Sequence, residues 1–533
     1  MKTPSHFKVV VALAVSIVLS TVALRRYVWF PTYLKVAWAT TLNIALNAVT
    51  LGHYILLEGR VRGGVFRNWA GRFRYRPQRI VRPITEEEIV QLVKGSQSLR
   101  VFGSGHSFNN GVVSEETLVS LDDYSGLVRK YPDKNQIVVK AGTRVREVVR
   151  LLSDDGLAFR ALPSHDAQSL AGILSTDVHG TGKIYGTEAV WGFVSQSVAG
   201  LSLIDGQGEK HECLPSEDLF KAAIGGIGAV GIITEVVVQG VPRFNVEQKV
   251  EMLPVDRVKT DLDRLLGANH HLSLYLFPFM DVCQVNTWNR KEKATTTIGR
   301  LLESIELYRG SLVEFVRISM DALAAAWLGN FVAYTGGLPQ SGRTYGGLRG
   351  GSDLLLESNK GFNRTIYHLH QELEFTVPFE DTFDVCECFL NLYQDLYKDL
   401  YWEELHPSGL PYALFEVRFT PEHDRTLIGA GRGRRSTWID LVCNDSRGFE
   451  RFYAEAEKLM KKIGARPHLG KYCASFDRED LEKLHGEDFA RFLQLKEKHD
   501  PHEKFANDFT RRLFGVQSQR TWEDVPREGD EPQ

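Results

Sequence analysis

"VFGSGHSFNN", Val101 to Asn110, decides how the rest of the chain is read, because it sets a histidine inside a turn that carries two glycines. Glycine takes positive φ and lets backbone approach a ligand closely. Gly103 and Gly105 therefore mark a tight turn, and His106 within it could serve as a ligand, a base or a point of covalent attachment. An ordinary strand-to-loop turn with a solvated imidazole fits the same residues, so the flanking sequence has to choose.

Outward from the turn the pattern is mixed helix and strand. "ITEEEIVQLVKGSQ" reads as a helix with Thr85 as its cap and acids in its first turn. "LRVFGSG" is a short strand entering the turn, and "TLVSLDDY" and "QIVVKAGT" are further strands. "RVREVVRLLSDDG" has helical spacing and closes at Gly156. In "ALPSHDAQSLAGILSTDVHGTG" small residues are dense, which suits backbone lying along a flat or elongated ligand and equally suits close packing. "VSQSVAGLSLIDGQGE" reads as a strand pair and "CLPSEDLFKAAIG" as a helix. "GIGAVG", Gly226 to Gly231, fits GxGxxG but leads into the strand-like "IITEVVVQG". A dinucleotide turn opens a helix instead, so this stretch is no nicotinamide fingerprint.

At 533 residues the chain has room for several domains. A net charge of −3 gives no overall basic footprint for nucleic acid. The six cysteines form no CxxC pair, which points to reduced core thiols and to no metal centre. The N-terminus differs from the rest. Val9–Leu24 is apolar and uncharged, and Val36–Leu57 lacks Lys, Arg, Asp and Glu. Residues 1–57 are expected to be a membrane anchor of one or two segments, although the first run also fits a signal-peptide core. Eight arginines and no acid follow between Arg60 and Arg82. They would keep the main body cytosolic and favour anionic headgroups.

The order of "RVFGSGHSFN", "VVKAGTRVREV", "SLAGILSTDVHGTG" and "GAVGIITEVVV" resembles the vanillyl-alcohol-oxidase type of FAD-binding domain. More narrowly it is similar to the sugar-1,4-lactone oxidase and alditol oxidase group. "ALFEVRFTP", "GARPHLGKYC" and "HDPHEKFANDFTRRLFG" extend the likeness to the C-terminal half. The resemblance implies an α+β, two-lobed fold behind the anchor. Residues 66–245 would be the FAD lobe, 246–480 a substrate-binding sheet lobe, and 481–516 a segment returning to the FAD lobe.

It also implies roles for residues. His106 would be joined covalently to FAD, with Gly103, Ser104, Gly105 and Ser107 around the pyrophosphate, as turn N–H groups generally hold phosphate. Ser164, Ser169, Gly172, Thr176 and His179 would run along the cofactor, and Ile232 and Ile233 would meet it by their backbone. Pro163 would sit beside the flavin carbon that reacts with oxygen. Glu416 and Arg418 in "FEVRF" are two residues apart and share a strand face. By default that is a surface ion pair. By resemblance Glu416 binds a substrate hydroxyl, and Arg418 with Lys471 supports charge on the reduced flavin. Leu469 stands where the family usually has Trp, and Asp440 where alditol oxidases carry a histidine. "ELEFTVP", Glu372 to Pro378, is expected to be scaffold. The implied activity is oxidation of a CH–OH group of a sugar-1,4-lactone, with oxygen or another acceptor. The alternatives are a polyol oxidase, a membrane-tethered flavoprotein of the sterol-reductase sort, and a scaffold without chemistry.

Overall fold

A computed structural model describes residues 60–114, 116–183, 191–278, 282–291, 354–357, 370–397, 413–444 and 448–515. The expected anchor, 1–57, and most of the apolar stretch around 290–350 lie outside the described residues. Among the described residues no helix is long and apolar enough to cross a membrane.

Two sheets form the centre of the N-terminal half, beside a smaller one of Arg60–Arg62, Val65–Arg67 and Arg74–Tyr75. Arg79–Val81, Thr117–Ser120 and Leu99–Phe102 run parallel, with Thr117–Ser120 central. An antiparallel sheet of five strands orders Lys210–Cys213, Val198–Ile204, Ile232–Gln239, Gln136–Lys140 and Leu127–Tyr131. Its inner strands are rich in β-branched residues and carry the core: Ile137, Val139, Leu201, Leu203, Val236 and Val238 are all buried. Helix Glu86–Gly95 begins where expected, with Thr85 Oγ1 accepting from the Glu88 N–H. Helix Val145–Asp154 buries Val145, Val148, Val149, Leu151 and Leu152, and Gly156 follows it at φ +71°. "VSQS" forms a short 3₁₀ turn before its strand rather than part of a strand pair, and Val198–Ile204 pairs with Lys210–Cys213 on one side and Ile232–Gln239 on the other.

The second half is an eight-stranded antiparallel sheet. Its order is Leu354–Glu357, Asn245–Pro254, Val282–Lys291, His271–Leu276, Ala413–Thr420, Ser436–Asn444, His370–Pro378 and Arg466–Pro467. Helices Val255–Ala268, Thr382–Tyr397 and Phe449–Ile463 bring buried apolar residues to its core. The strand pair His179–Lys183 and Trp191–Phe193 meets this sheet, with His271 Nδ1 2.7 Å from the Thr181 carbonyl. Gly192 has to be glycine there, since a Cβ would stand 2.9 Å from the Thr420 side chain.

The C-terminal residues return to the first half. The Leu99 N–H donates to the Lys504 carbonyl at 2.8 Å. Arg100, buried, donates to the carbonyls of Gly111 (2.7 Å), Phe505 (2.6 Å) and Ile227 (2.8 Å). One guanidinium thus satisfies three acceptors from separate segments, a geometry that lysine lacks. Asn507 caps helix Asp508–Phe514, and its Nδ2 also donates to the Asn110, Gly111 and Val113 carbonyls.

Candidate active site

The strand Leu99–Phe102 delivers the chain into the glycine turn, where Gly105 sits at φ +66°. The Trp69 N–H donates to the Gly105 carbonyl at 2.7 Å. The Trp69 indole lies almost parallel to the His106 ring, centroids 5.3 Å apart and planes 10° apart. His106, half-buried, therefore has a fixed ring plane. The turn borders a cavity lined from both halves of the chain. Gly103, Ser104, Gly105, His106 and Ser107 line it, as do Ser169, Gly172, Thr176 and Ile232. From the second half come Glu372, His468, Leu469 and Lys471.

The loop His468–Tyr472 closes this cavity because both halves grip it. The Phe108 N–H donates to the Gly470 carbonyl, and Asn109 Nδ2 donates to the Leu469 and Lys471 carbonyls at 2.7 and 2.8 Å. On the other side the His468 and Tyr472 N–H groups donate to the Glu374 and Glu372 carbonyls, both at 2.8 Å. Lys471 is thereby carried across the face of the large sheet.

That face carries a row of acids. Glu416 pairs in register with Asp440, and Asp440 with Glu374, so three carboxyls from adjacent strands point the same way. Like charges directly opposite one another destabilise a sheet. Lys471 offsets this: its Nζ pairs closely with Glu372 and lies 3.6 Å from Asp440 and 3.9 Å from Glu374. Arg418 grips Glu416 with a fork, Nε at 2.9 Å and Nη2 at 2.6 Å, and Nη2 also reaches Ser164 Oγ at 3.1 Å.

Burial opposes every charge here, and the neighbours decide each outcome. Burial pushes the Asp440 carboxyl up, and the charges of Glu372 and Glu374 push it further, well above the carboxylate range. Neither Asp440 carboxyl oxygen has a hydrogen-bond partner among the described residues. Burial would also raise Glu372 and Glu374, but Lys471 with His370 or His179 outweighs it and holds both below their ordinary values. Lys471 and Arg418 are held above theirs, because the surrounding carboxylates outweigh burial.

Several expected positions differ in detail. His179 is buried off the cavity lining, stacked on Trp438 at 3.7 Å, with Nε2 facing Glu374 Oε1 at 3.0 Å. It supports the acid row from beneath. Ser164 also lies off the lining and meets Arg418, and Pro163 is buried and is not in the lining. The Ser104 hydroxyl is taken up by the protein, donating to the Ala167 carbonyl at 2.6 Å and accepting from Arg144. The Ser169 hydroxyl caps helix Leu170–Ser175. Glu416 and Arg418 are not in the lining of this cavity; they join it through Asp440 and Lys471. The strand expected to be scaffold is part of the site, since Glu372 lines the cavity and Glu374 joins the acid row. The signal was present in "ELEF": two acids two residues apart, with the apolar Leu373 and Phe375 alternating with them, the same spacing as Glu416 and Arg418.

His468 Nδ1 accepts the Gly470 N–H at 3.0 Å, so its proton sits on Nε2. Burial agrees, lowering this imidazole from 6.5 to about 4. The unfolded chain takes up the proton near pH 6.5 and the folded chain only near 4, so this contribution is complete above 6.5 and is lost as pH falls towards 4. The unfolding free energy of wild type relative to His468→Gln should fall by about 3 kcal/mol over that window. Urea titrations at a series of pH values measure it, and a difference independent of pH would show that the imidazole does not hold this state.

A family described as D-arabinono-1,4-lactone oxidase matches residues 236–513, and one described as FAD binding domain matches residues 77–214. L-gulono-1,4-lactone dehydrogenase of Mycobacterium tuberculosis is 24% identical over 463 residues, which is 85% of this chain and 99% of that one. D-arabinono-1,4-lactone oxidase of Saccharomyces cerevisiae is 31% identical over 240 residues, 43% of this chain and 44% of the other. The crystal structure of cholesterol oxidase from B. sterolicum shares the fold, with a TM-score of 0.66 at 14% identity, over 86% of this chain and 97% of that one. A match over more than half of the chain, continuous with the flavin-type domain before it, makes this protein a member of the D-arabinono-1,4-lactone oxidase family.

Proposed function

We propose that the protein is an FAD-dependent oxidoreductase that oxidises a CH–OH group of a sugar-1,4-lactone. The observation that carries this is the shared cavity, with the glycine turn and His106 on one side and Glu372 and Lys471 on the other. The lining suits FAD. Gly105, Gly228 and Gly231 all border the cavity at positive φ, and a Cβ on Gly228 would meet nothing within 4 Å. Bare backbone of that kind can hold phosphate and lie against a flat ring. The names of the lactone dehydrogenase and oxidase relatives support the substrate class.

When bound, FAD supplies the hydride acceptor, and the protein supplies binding and electrostatics. Glu416, oriented by the Arg418 fork, accepts a hydrogen bond from the substrate hydroxyl. Arg418 and Lys471 place fixed positive charge on the face where negative charge develops. His468 cannot take the hydroxyl proton through Nδ1, whose lone pair is already spent on Gly470. Asp440, whose carboxyl oxygens make no hydrogen bond among the described residues, is available to a sugar hydroxyl. His106, held flat against Trp69, is the residue to which FAD would be joined. Oxygen is the proposed acceptor, and residues 1–57 the proposed anchor, with the catalytic body in the cytosol.

Arg418→Ala should slow single-turnover reduction about a hundredfold, because a preorganised charge of this kind is worth ~3 kcal/mol in the transition state. Glu416→Gln should raise KM and lower kcat together, and Lys471→Met should resemble the arginine change. A surface ion pair would be worth ~1 kcal/mol or less, so near-wild-type rates in all three, with FAD retained, would remove this site assignment.

Acid-precipitated wild type should stay yellow, and His106→Ala should release its flavin under the same treatment. A colourless wild-type pellet would sink the covalent link and leave FAD binding intact. Full-length protein should sediment with membranes, and its reduced form should reoxidise rapidly in air. Recovery of the chain free in the cytosol, or indifference to oxygen, would reject the anchor or the acceptor respectively.

A further inference from the structure

Away from the cavity, three side chains from two distant parts of the sequence bring their ligand atoms together. Asp205 closes the strand Val198–Ile204, His211 lies in the paired strand Lys210–Cys213, and His499 ends helix Glu487–His499. Asp205 Oδ2 lies 2.7 Å from His211 Nε2 and 3.2 Å from His499 Nδ1, and the three atoms all fall within 4.8 Å of one another. We propose that Asp205, His211 and His499 form a binding site for a divalent cation of the zinc class.

The donor set is two imidazole nitrogens and one carboxylate oxygen, the combination that zinc takes in open, three-ligand sites. A tetrahedral centre with bonds of about 2.1 Å needs ligand atoms about 3.4 Å apart. The carboxylate oxygen stands 2.7 Å from the His211 nitrogen and 3.2 Å from the His499 nitrogen, so the ion needs the His211 imidazole to draw back by about 0.7 Å and the His499 imidazole by about 0.2 Å. The rings stand at 87° with centroids 4.8 Å apart, so they meet edge to face rather than stack while both nitrogens turn to one oxygen.

The carboxylate is also held from behind. Asp205 Oδ1 accepts the Gln207 and Glu209 N–H groups, both at 3.0 Å, which fixes Oδ2 towards the imidazoles. Outer contacts of this kind orient a metal ligand and tune its affinity. The backbone is already clamped, because the Gly206 N–H donates to the His499 carbonyl at 2.7 Å. The His211 side chain is 31% exposed, which gives the ion an entry path and a fourth position open to water. On binding, each imidazole keeps one proton on its outward nitrogen and presents the other lone pair to the metal. The spacing of the cysteines had pointed to no metal centre, and it had no bearing on a histidine pair separated by 288 positions (499 − 211).

The site is tested with the purified, flavin-loaded full chain. Calorimetric titration with zinc chloride should show one saturable equivalent, and cobalt(II) in its place should give visible absorption bands of a low-coordinate nitrogen–oxygen site. His211→Ala and Asp205→Asn should each weaken zinc binding at least about tenfold and abolish the cobalt bands. Zinc should raise the unfolding temperature of wild type and not of the variants. No saturable binding by wild type would overturn the proposal, and so would equal binding by both variants. His211 is partly exposed, so its substitution leaves a folded chain on which the comparison can be made. Lactone oxidation measured in the same samples is independent of either result.

Discussion

Lys471 and Arg418 between them offset carboxyls that three adjacent strands turn the same way: Lys471 faces Glu372, Glu374 and Asp440, and Arg418 grips Glu416. Glu374, Asp440 and Glu416 are fixed opposite one another by the ladder, and Glu372 flanks them one pleat along. Burial makes their mutual repulsion expensive, because little water remains to screen it. The sheet answers with one ammonium, one guanidinium fork and a carboxyl on Asp440 that burial pushes well above the carboxylate range. The charge pattern that a sugar hydroxyl would read is therefore the same pattern that keeps the strands together.

This coupling explains why the site reaches into both halves of the chain. Lys471 is placed by a loop whose carbonyls are held by Asn109, three residues beyond His106. The turn expected to hold the cofactor thus positions the cation expected to serve the substrate. A shift in one would be felt by the other through a few hydrogen bonds.

Much of this was legible in the sequence. The strands around the glycine turn, the helix behind Thr85 and the strand after "GIGAVG" follow from local pattern, and their ends fall close to where caps and glycines put them. "FEVRF" announced a polar face through its two-residue spacing. What was not legible depended on register. Nothing in "ELEFTVP" says that Glu374 will lie opposite Asp440 rather than solvent, and nothing in "TDVHGTG" says that His179 will turn beneath Trp438 instead of towards the cavity. Hydroxyl partners were hidden for a related reason: Ser104 and Ser169 line the cavity, while their side chains also bond within the fold.

Arg100 has a consequence in time as well as in space. Its guanidinium belongs to the strand that enters the glycine turn, yet one of its three carbonyl partners is Phe505, and the same strand begins with a bond to Lys504. A ribosome delivers residue 100 some four hundred residues before these partners, at ~5–20 residues per second. Through that interval, on the order of tens of seconds, the nascent first lobe carries a buried-type arginine with an acceptor still unmade. The turn can reach its final shape only when the last helices have emerged, so the lobe begun first is completed last.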